Sequence, residues 1–227
     1  MIANESDEWI TQLRQLDTCV LSDALDALDL PHAVADLIPL SGSAPIVGRA
    51  VTVELVPADT PGLKPSTRHL ATGAVATSGP GDVIVVAHPG IPCAGWGGLL
   101  TKASSLRGIE GTLVDGPVRD VDESRALDYP IHGRSATPVT ARGRLVESSW
   151  GEVISFAGVP VDTGDLVRAD GSGIVFIPLD RAAEVIERAT AFAAKEAAMA
   201  AALDEGDVIT SVMGRSYERL AGKGVRS

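Results

Sequence analysis

Aromatic residues make up only 4% of the 227-residue chain, and cysteine, histidine and lysine are also scarce. Ala, Val, Leu and Gly dominate the apolar content, so the core is expected to be aliphatic and closely packed. Two cysteines, Cys19 and Cys93, are too few for a disulfide scaffold and show no metal-ligand spacing. They read as two buried or half-buried thiols in a reducing compartment. His32, His69, His88 and His132 lie far apart, which argues against a zinc centre. No apolar run approaches the roughly 20 residues that span a bilayer, so no membrane partner is expected. The opening "MIANESDEWI" is acidic and has no apolar stretch, so no signal peptide is read there and a cytoplasmic location is expected. No run of Lys and Arg interrupts a formal net charge of −11, a surface that repels phosphate backbones and argues against nucleic acid as a partner. A small anionic substrate would need a local positive site, which gives individual arginines weight.

The length suits one α/β domain over residues 1–227, ending in a helical arm from about 181 to 227. Trp9, Leu13, Leu16 and Val20 recur at helical spacing, and Ser22 or Asp23 is expected to cap a second short helix holding Leu25 and Leu28. "IVGRAVTVELVP" reads as a strand, residues 66–77 as a helix, and "DVIVVAH" as a strand covered on both faces. In "GWGGLLTKASSLRG", Leu99, Leu100, Ala103 and Leu106 form one apolar helix face, and Gly108 suits the C-terminal cap. "GTLVDG" is a further buried strand. After turn-rich β structure, Asp180 is expected to cap an alanine-rich helix from about Arg181 to Leu203, stopped at Gly206. Its apolar circumference suits packing against another subunit.

The segment "DGPVRDVDE", residues 115–123, admits two readings. Asp120 with Glu123 three residues on is close to a capping box at a helix start. The same segment also follows a buried strand, at the carboxyl end where α/β sheets place ligands. There Arg119 offers a planar fork to a carboxylate, and Asp120 suits a hard cation such as Mg²⁺. Gly95, Gly97 and Gly98 precede a helix whose first N–H groups suit an anion, although close packing explains these glycines as well. The chain lacks the G-x-G-x-x-G, P-loop and G-x-S-x-G patterns, so neither nucleotide binding nor a serine nucleophile is expected. His88 is the histidine best placed to enter a pocket, though a plain strand-end role accounts for it. Lys102 is the one credible Schiff-base candidate, beside the simpler reading of a solvent-facing helix lysine.

"WGGLLTKASSLRGIEGTLVDGPVRDVDE" resembles the family containing 4-hydroxy-4-methyl-2-oxoglutarate aldolase and the regulator of ribonuclease E activity A. The shared pattern is Gly97-Gly98-Leu99, then Arg119-Asp120 about 20 residues later, then Glu123. "LSDALDAL", "VGRAVTV", "GPGDVIVV", "GVPVDTGDLVRADGSGIVFIP" and "KEAAMAAALDEG" extend the likeness over most of the chain. The resemblance implies a swivelling α/β/β fold assembled as a homotrimer or homohexamer. It implies retro-aldol cleavage of 4-hydroxy-2-oxo acids, with oxaloacetate decarboxylation as a side activity. By the same likeness Asp120 ligates Mg²⁺ or Mn²⁺, and Arg119 holds the pyruvyl end and its enolate. Backbone N–H groups around Leu99 and Leu100 receive the carboxylate, and Glu196 of a neighbouring subunit touches the metal through water. Gly98, where relatives often carry an acid or alanine, and His88, where a small polar residue is commoner, depart from the pattern and bear on substrate identity. Glu123 favours the aldolase branch. The alternative is a non-catalytic, protein-binding regulator on the same fold.

Overall fold

The computed structural model describes residues 2–30, 33–63 and 68–213. His32, Lys64, Lys223, the first residues of the helix expected over 66–77 and the end of the expected arm lie outside them. The chain begins with helices α1 (Ile2–Leu13) and α2 (Thr18–Ala27), then strands β1 (Ala33–Val34), β2 (Ile38–Ser41) and β3 (Ile46–Pro57). Next come α3 (Thr72–Thr77), β4 (Asp82–Ala87), α4 (Gly98–Leu106), β5 (Gly111–Val118), α5 (Val121–Ala126) and β6 (Ile131–Ala136). The remainder is β7 (Leu145–Trp150), β8 (Ile154–Phe156), β9 (Val159–Val161), β10 (Leu166–Asp170), β11 (Gly173–Ile177), α6 (Ala182–Asp204) and α7 (Ile209–Val212).

Nine strands form one mixed sheet in the order β1-β11-β10-β3-β4-β5-β6-β2, with β7 joined to the far half of β3. The central pairs β3–β4, β4–β5 and β5–β6 are parallel, and the flanking pairs are antiparallel. Strand alternation separates the layers. Ile46, Ala50, Val83, Val85, Leu113, Val167 and Phe176 face one side, where Phe156 of the separate β8–β9 hairpin packs edge-on against Phe176 at 5.3 Å between centroids. Val53, Leu55, Ile84, Val86 and Val114 face the other side, beneath α3 and α4. On that side Val47, Leu166, Val175 and Ile177 meet α1, α2 and α6. Helices, sheet and hairpin thus form an α/β/β stack, and the apolar run of β4 is covered on both faces as expected. The sheet curls around the hairpin-side core: His132 of β6 reaches the Asp170 carbonyl of β10 at 3.1 Å, although three strands separate them.

Several local expectations are corrected. The first helix breaks after Leu13, and Asp17, not Ser22 or Asp23, caps α2 by accepting the Val20 N–H at 2.9 Å. Asp170 also binds Thr18, so this helix start is tied to the β10–β11 turn. α3 is shorter than expected, because Ala71 before it takes a left-handed conformation. Asp180 caps nothing; a 3-10 turn over Leu179–Arg181 leads into α6. Cys19 is exposed, while Cys93 is buried. Gly108 and Gly206 do end α4 and α6, both at positive φ. No helix among the described residues is long and apolar enough to cross a membrane.

His132 is buried with Nδ1 unpartnered, and burial pushes its pKa below the ordinary 6.5, partly offset by the carbonyl and charge of Asp170. His88 is pushed the same way, by burial first. The unfolded chain therefore takes up these protons before the folded chain does. Stability from the neutral rings is fully present above 6.5 and is lost as pH falls below it. Urea unfolding midpoints should drop between about pH 7.5 and about pH 5, and His132→Gln should flatten part of that drop. An unchanged slope in the variant would assign the acid sensitivity elsewhere.

Candidate active site

Two strand-to-helix turns meet at one point. Residues 94–97, just before α4, run alongside the end of β5 and join it through a single isolated bridge. Gly95 donates to the Pro117 carbonyl at 2.9 Å, Arg119 N–H to the Trp96 carbonyl at 3.0 Å, and Trp96 bridges Val118 in parallel. This pairing brings Gly97 and Gly98 against Arg119 and Asp120, 22 residues later. The Gly98 N–H donates to the Asp120 carboxylate at 3.0 Å. Arg119 Nε lies 3.1 Å from the same carboxylate, leaving its terminal nitrogens for a ligand.

The capping-box expectation fails here. Asp120 does precede α5, but at φ 57° and ψ 38°, and its side chain makes no cap bond. The carboxylate turns back to the α4 start instead. Left-handed backbone costs a non-glycine residue about 1–2 kcal/mol, and Asp tolerates it better than most. The Gly98 amide and Arg119 guanidinium hold it there. Glycine leaves room for charged side chains on the facing turn. A Cβ at Gly97 would press on Arg119 and the Asp120 carboxylate, and one at Gly98 would collide with the Glu123 carboxylate. All three residues of the sequence pattern, Arg119, Asp120 and Glu123, therefore converge on the two glycines.

α4 offers its first N–H groups to the same space. Gly97 caps it without a side-chain bond, and the first intrahelical bond runs from Thr101 N–H to the Gly97 carbonyl at 3.1 Å. The Leu99 and Leu100 N–H groups thus have no intrahelical acceptor. A hydroxyl relay sets the angle between the helices: Trp96 Nε1 donates to Thr101 Oγ1 at 2.9 Å, which lies 3.2 Å from Ser124 Oγ of α5. Spacing gave no signal for Trp96, Thr101 or Ser124 as positioning residues.

The pair opens into a cleft of about 590 Å³. Gly97, Gly98, Leu99, Leu100, Arg119 and Asp120 all line it, as do Arg107, Arg142 and His69, which no motif had marked. Arg119 is 39% exposed and Asp120 29%, open enough for a ligand to reach both.

Other candidates separate from this cleft. Lys102 is exposed and absent from its lining, which removes the structural basis for a Schiff base. His88 supports the site from behind. Its Nδ1 accepts the Gly90 N–H at 3.1 Å, so its Nε2 carries the proton towards the Cys93 carbonyl at 3.1 Å, and its ring fills the space beside Gly95 and Gly116. Glu196 is exposed on α6 and does not line the cleft of its own chain. The apolar face expected on α4 is split: Leu99 is 89% and Leu106 74% exposed, Leu100 and Ala103 pack half-buried against the core, and Gly98, Thr101 and Ser104 face inward. Small and hydroxyl-bearing residues are what let α4 approach α5 closely.

Residues 18–176 match the family model described as RraA-like, Aldolase/RraA. The chain belongs to the RraA-like family. A Halalkalibacterium halodurans protein of the family, named "Putative 4-hydroxy-4-methyl-2-oxoglutarate aldolase", is 34% identical over 185 residues, 80% of this chain and 82% of its own length. Protein DlpA of Legionella pneumophila is 32% identical over 209 residues, 90% of this chain, yet this chain spans only 34% of DlpA. Streptomyces coelicolor RraAS2, described as an unusual member of the RNase ES inhibitor RraA protein family, superposes with a TM-score of 0.72 at 25% identity, covering 83% of this chain and 92% of its own. The RraA-like family thus includes proteins named as aldolases and proteins named as ribonuclease inhibitors.

Because the Glu123 carboxylate occupies the space where a Cβ on Gly98 would lie, Gly98→Ala should fold normally and displace Glu123. Its melting temperature should stay within a few degrees of wild type, while ligand binding at the cleft falls about tenfold or more. Unchanged binding would show that Glu123 need not sit against this turn.

Proposed function

We propose that the protein is a divalent-metal-dependent lyase that cleaves 4-hydroxy-2-oxo acids, such as 4-hydroxy-4-methyl-2-oxoglutarate, to pyruvate and a second 2-oxo acid. Oxaloacetate decarboxylation accompanies this as a side activity. The observation that carries the reading is the convergence of the Arg119 guanidinium, the Asp120 carboxylate and the open α4 N–H groups on one cleft.

The donor set fits Mg²⁺ or Mn²⁺. Such ions take one or two carboxylates and keep several waters, and Asp120 is a partly exposed carboxylate oriented by other groups, with Glu123 close by. Among the described residues there is no cluster of three or more His, Cys, Asp or Glu that could hold a metal, which is consistent with a water-rich site and argues against a closed structural one. Asp120 would hold the ion, with Glu196 of a neighbouring subunit reaching it through water. Bound there, the ion would supply Lewis-acid polarisation of the 2-oxo group.

The chain's own groups do the rest. The Leu99 and Leu100 N–H groups receive the substrate carboxylate, aided by the positive end of α4. The C4 hydroxyl proton passes to a water in the cleft, C4 becomes the carbonyl of the second 2-oxo acid as the C3–C4 bond breaks, and the electron pair passes through C3 to the C2 oxygen as an enolate. Arg119 presents its terminal nitrogens to that developing charge, where a fixed donor is worth most. Protonation at C3 then yields pyruvate. Apolar walls from Leu70, Val75 and Leu100 limit water around the reacting atoms.

We place this activity in a homotrimer or homohexamer. The outward leucines of α4 and the far half of α6, whose buried residues stop at Ala189, support that assembly. Light scattering should give the mass of three or six chains, and a monomer would overturn it. Likeness to RraAS2 favours the second reading, a protein-binding regulator acting through the outer surface.

Pyruvate should be released from 4-hydroxy-4-methyl-2-oxoglutarate and oxaloacetate with Mg²⁺ or Mn²⁺, and EDTA should abolish release. No turnover with any divalent metal would favour the regulator. Asp120→Asn should lose metal-dependent activity while keeping its melting temperature. Arg119→Lys should lose about a hundredfold or more in kcat/KM, since an ammonium cannot hold both Asp120 and the enolate. Near-wild-type activity in either variant would remove that residue from the mechanism.

A further inference from the structure

One wall of the cleft is carried by the turn into α3. His69, Leu70 and Thr72 line the cleft there, and Val75 follows on the helix. The turn is strained. Ala71 takes φ 59° and ψ 1°, a left-handed conformation that favours glycine, yet the residue is fully buried in the apolar core. Glycine would relax the backbone but give up the packing of that methyl group, so alanine here needs an outside anchor.

The hydrogen bonds of the turn identify one. The Leu70 N–H goes to His69 Nδ1 at 2.7 Å and the Thr72 N–H to the His69 carbonyl at 3.2 Å, both within the turn. Of the three, the Ala71 N–H alone leaves it, and it meets the Glu147 carboxylate of β7 at 2.6 Å. Such a bond is short and charge-assisted. α3 has no capping side chain of its own.

A bulge in β7 aims this carboxylate. Glu147 pairs with Leu55 and Ser149 with Glu54, so Ser148 is an extra, unpaired residue, its hydroxyl 2.6 Å from the Glu54 carboxylate. Residues 147 and 150 are three apart and would lie on opposite faces of a regular strand. The extra residue puts both on the face of Val53 and Leu55, towards α3. There Glu147 takes the Ala71 N–H, and the Trp150 indole packs so close to Gly73 that a Cβ would lie 2.9 Å from its Nε1.

We propose that Glu147 is a positioning residue for the cleft: its carboxylate, aimed by the β7 bulge, holds the left-handed turn at Ala71 and so sets the wall formed by His69, Leu70 and Thr72. Glu147 itself does not line the cleft and acts only through the turn. Its effect on turnover rests on the lyase reading above; its effect on the wall does not.

The test uses the full-length protein with Glu147→Leu, which removes the acceptor at similar volume, and Glu147→Gln, which keeps a neutral one. Amide NMR spectra of wild type should place the Ala71 N–H far downfield, as a short bond to a carboxylate requires. In Glu147→Leu that signal should move upfield, together with displaced amides at His69, Leu70 and Thr72. KM for 4-hydroxy-4-methyl-2-oxoglutarate should rise about tenfold with kcat within about twofold of wild type, because a wall binds ground state and transition state alike. Glu147→Gln should fall between, with the Ala71 signal moved partway and KM raised about twofold, and it carries the test alone should Glu147→Leu not fold. A lowered melting temperature with KM unchanged, or amide shifts confined to β3 and β7, would overturn the positioning role. If wild type cleaves no 4-hydroxy-2-oxo acid while the variants displace the turn, the positioning role stands and the lyase reading falls.

Discussion

The site depends on the Gly98 N–H donating to the Asp120 carboxylate across two separate strand-to-helix turns. This bond draws Asp120 away from the ordinary capping role at α5 and holds it in a left-handed conformation facing α4. It forms because residues 94–97 are bridged to the end of β5 at Trp96 and Val118, fixing the register between the turns. Arg119 completes it, since a guanidinium on the same carboxylate keeps the charge oriented and leaves the outer nitrogens for a ligand. The glycines follow from the same constraint. Three charged side chains, Arg119, Asp120 and Glu123, fill the space that Cβ atoms at positions 97 and 98 would need.

Around that bond the molecule resolves an electrostatic conflict. A formal net charge of −11 repels small anions. The cleft reverses the sign locally, with three arginines and a helix N-terminus against one carboxylate. Apolar walls between these groups lower the local dielectric and strengthen each charge interaction. His88 stays out of this chemistry: burial favours its neutral form, and its two ring nitrogens bind backbone on the loop that delivers Gly95.

Helix α4 serves two surfaces. Its inner face carries Gly98, Thr101 and Ser104, small enough for close approach to the neighbouring turn and bearing hydroxyls that bond Trp96 and Ser124. Its outer face carries Leu99 and Leu106, exposed on the single chain. Leu99 also lines the cleft, beside the open N–H groups of the helix start.

Much of the fold could be read from local pattern. β-branched alternation marked β3 over the residues it occupies, a continuous apolar run marked β4 as doubly covered, and Gly108 and Gly206 marked two helix ends. The spaced pattern of Gly97-Gly98-Leu99 with Arg119-Asp120 and Glu123 identified which residues would meet. Their geometry was not legible, because capping and ligand binding ask for the same residue types at the same spacing. Only the packing of the two turns showed Asp120 facing Gly98 rather than its own helix. The face of α4 that is buried was also a tertiary outcome: periodicity finds an apolar stripe, but contact with a small-residue surface decided which side turned inward. Arg107 and Arg142 carry no motif at all; they join the site because the sheet order and the loop after β6 place them on one cleft. Sequence alone marked the central strands β3, β4 and β5, the family pattern and the residues that meet at the two turns. Tertiary structure decided their orientation and the rest of the cleft lining, because residues distant along the chain share a surface only after the sheet has assembled.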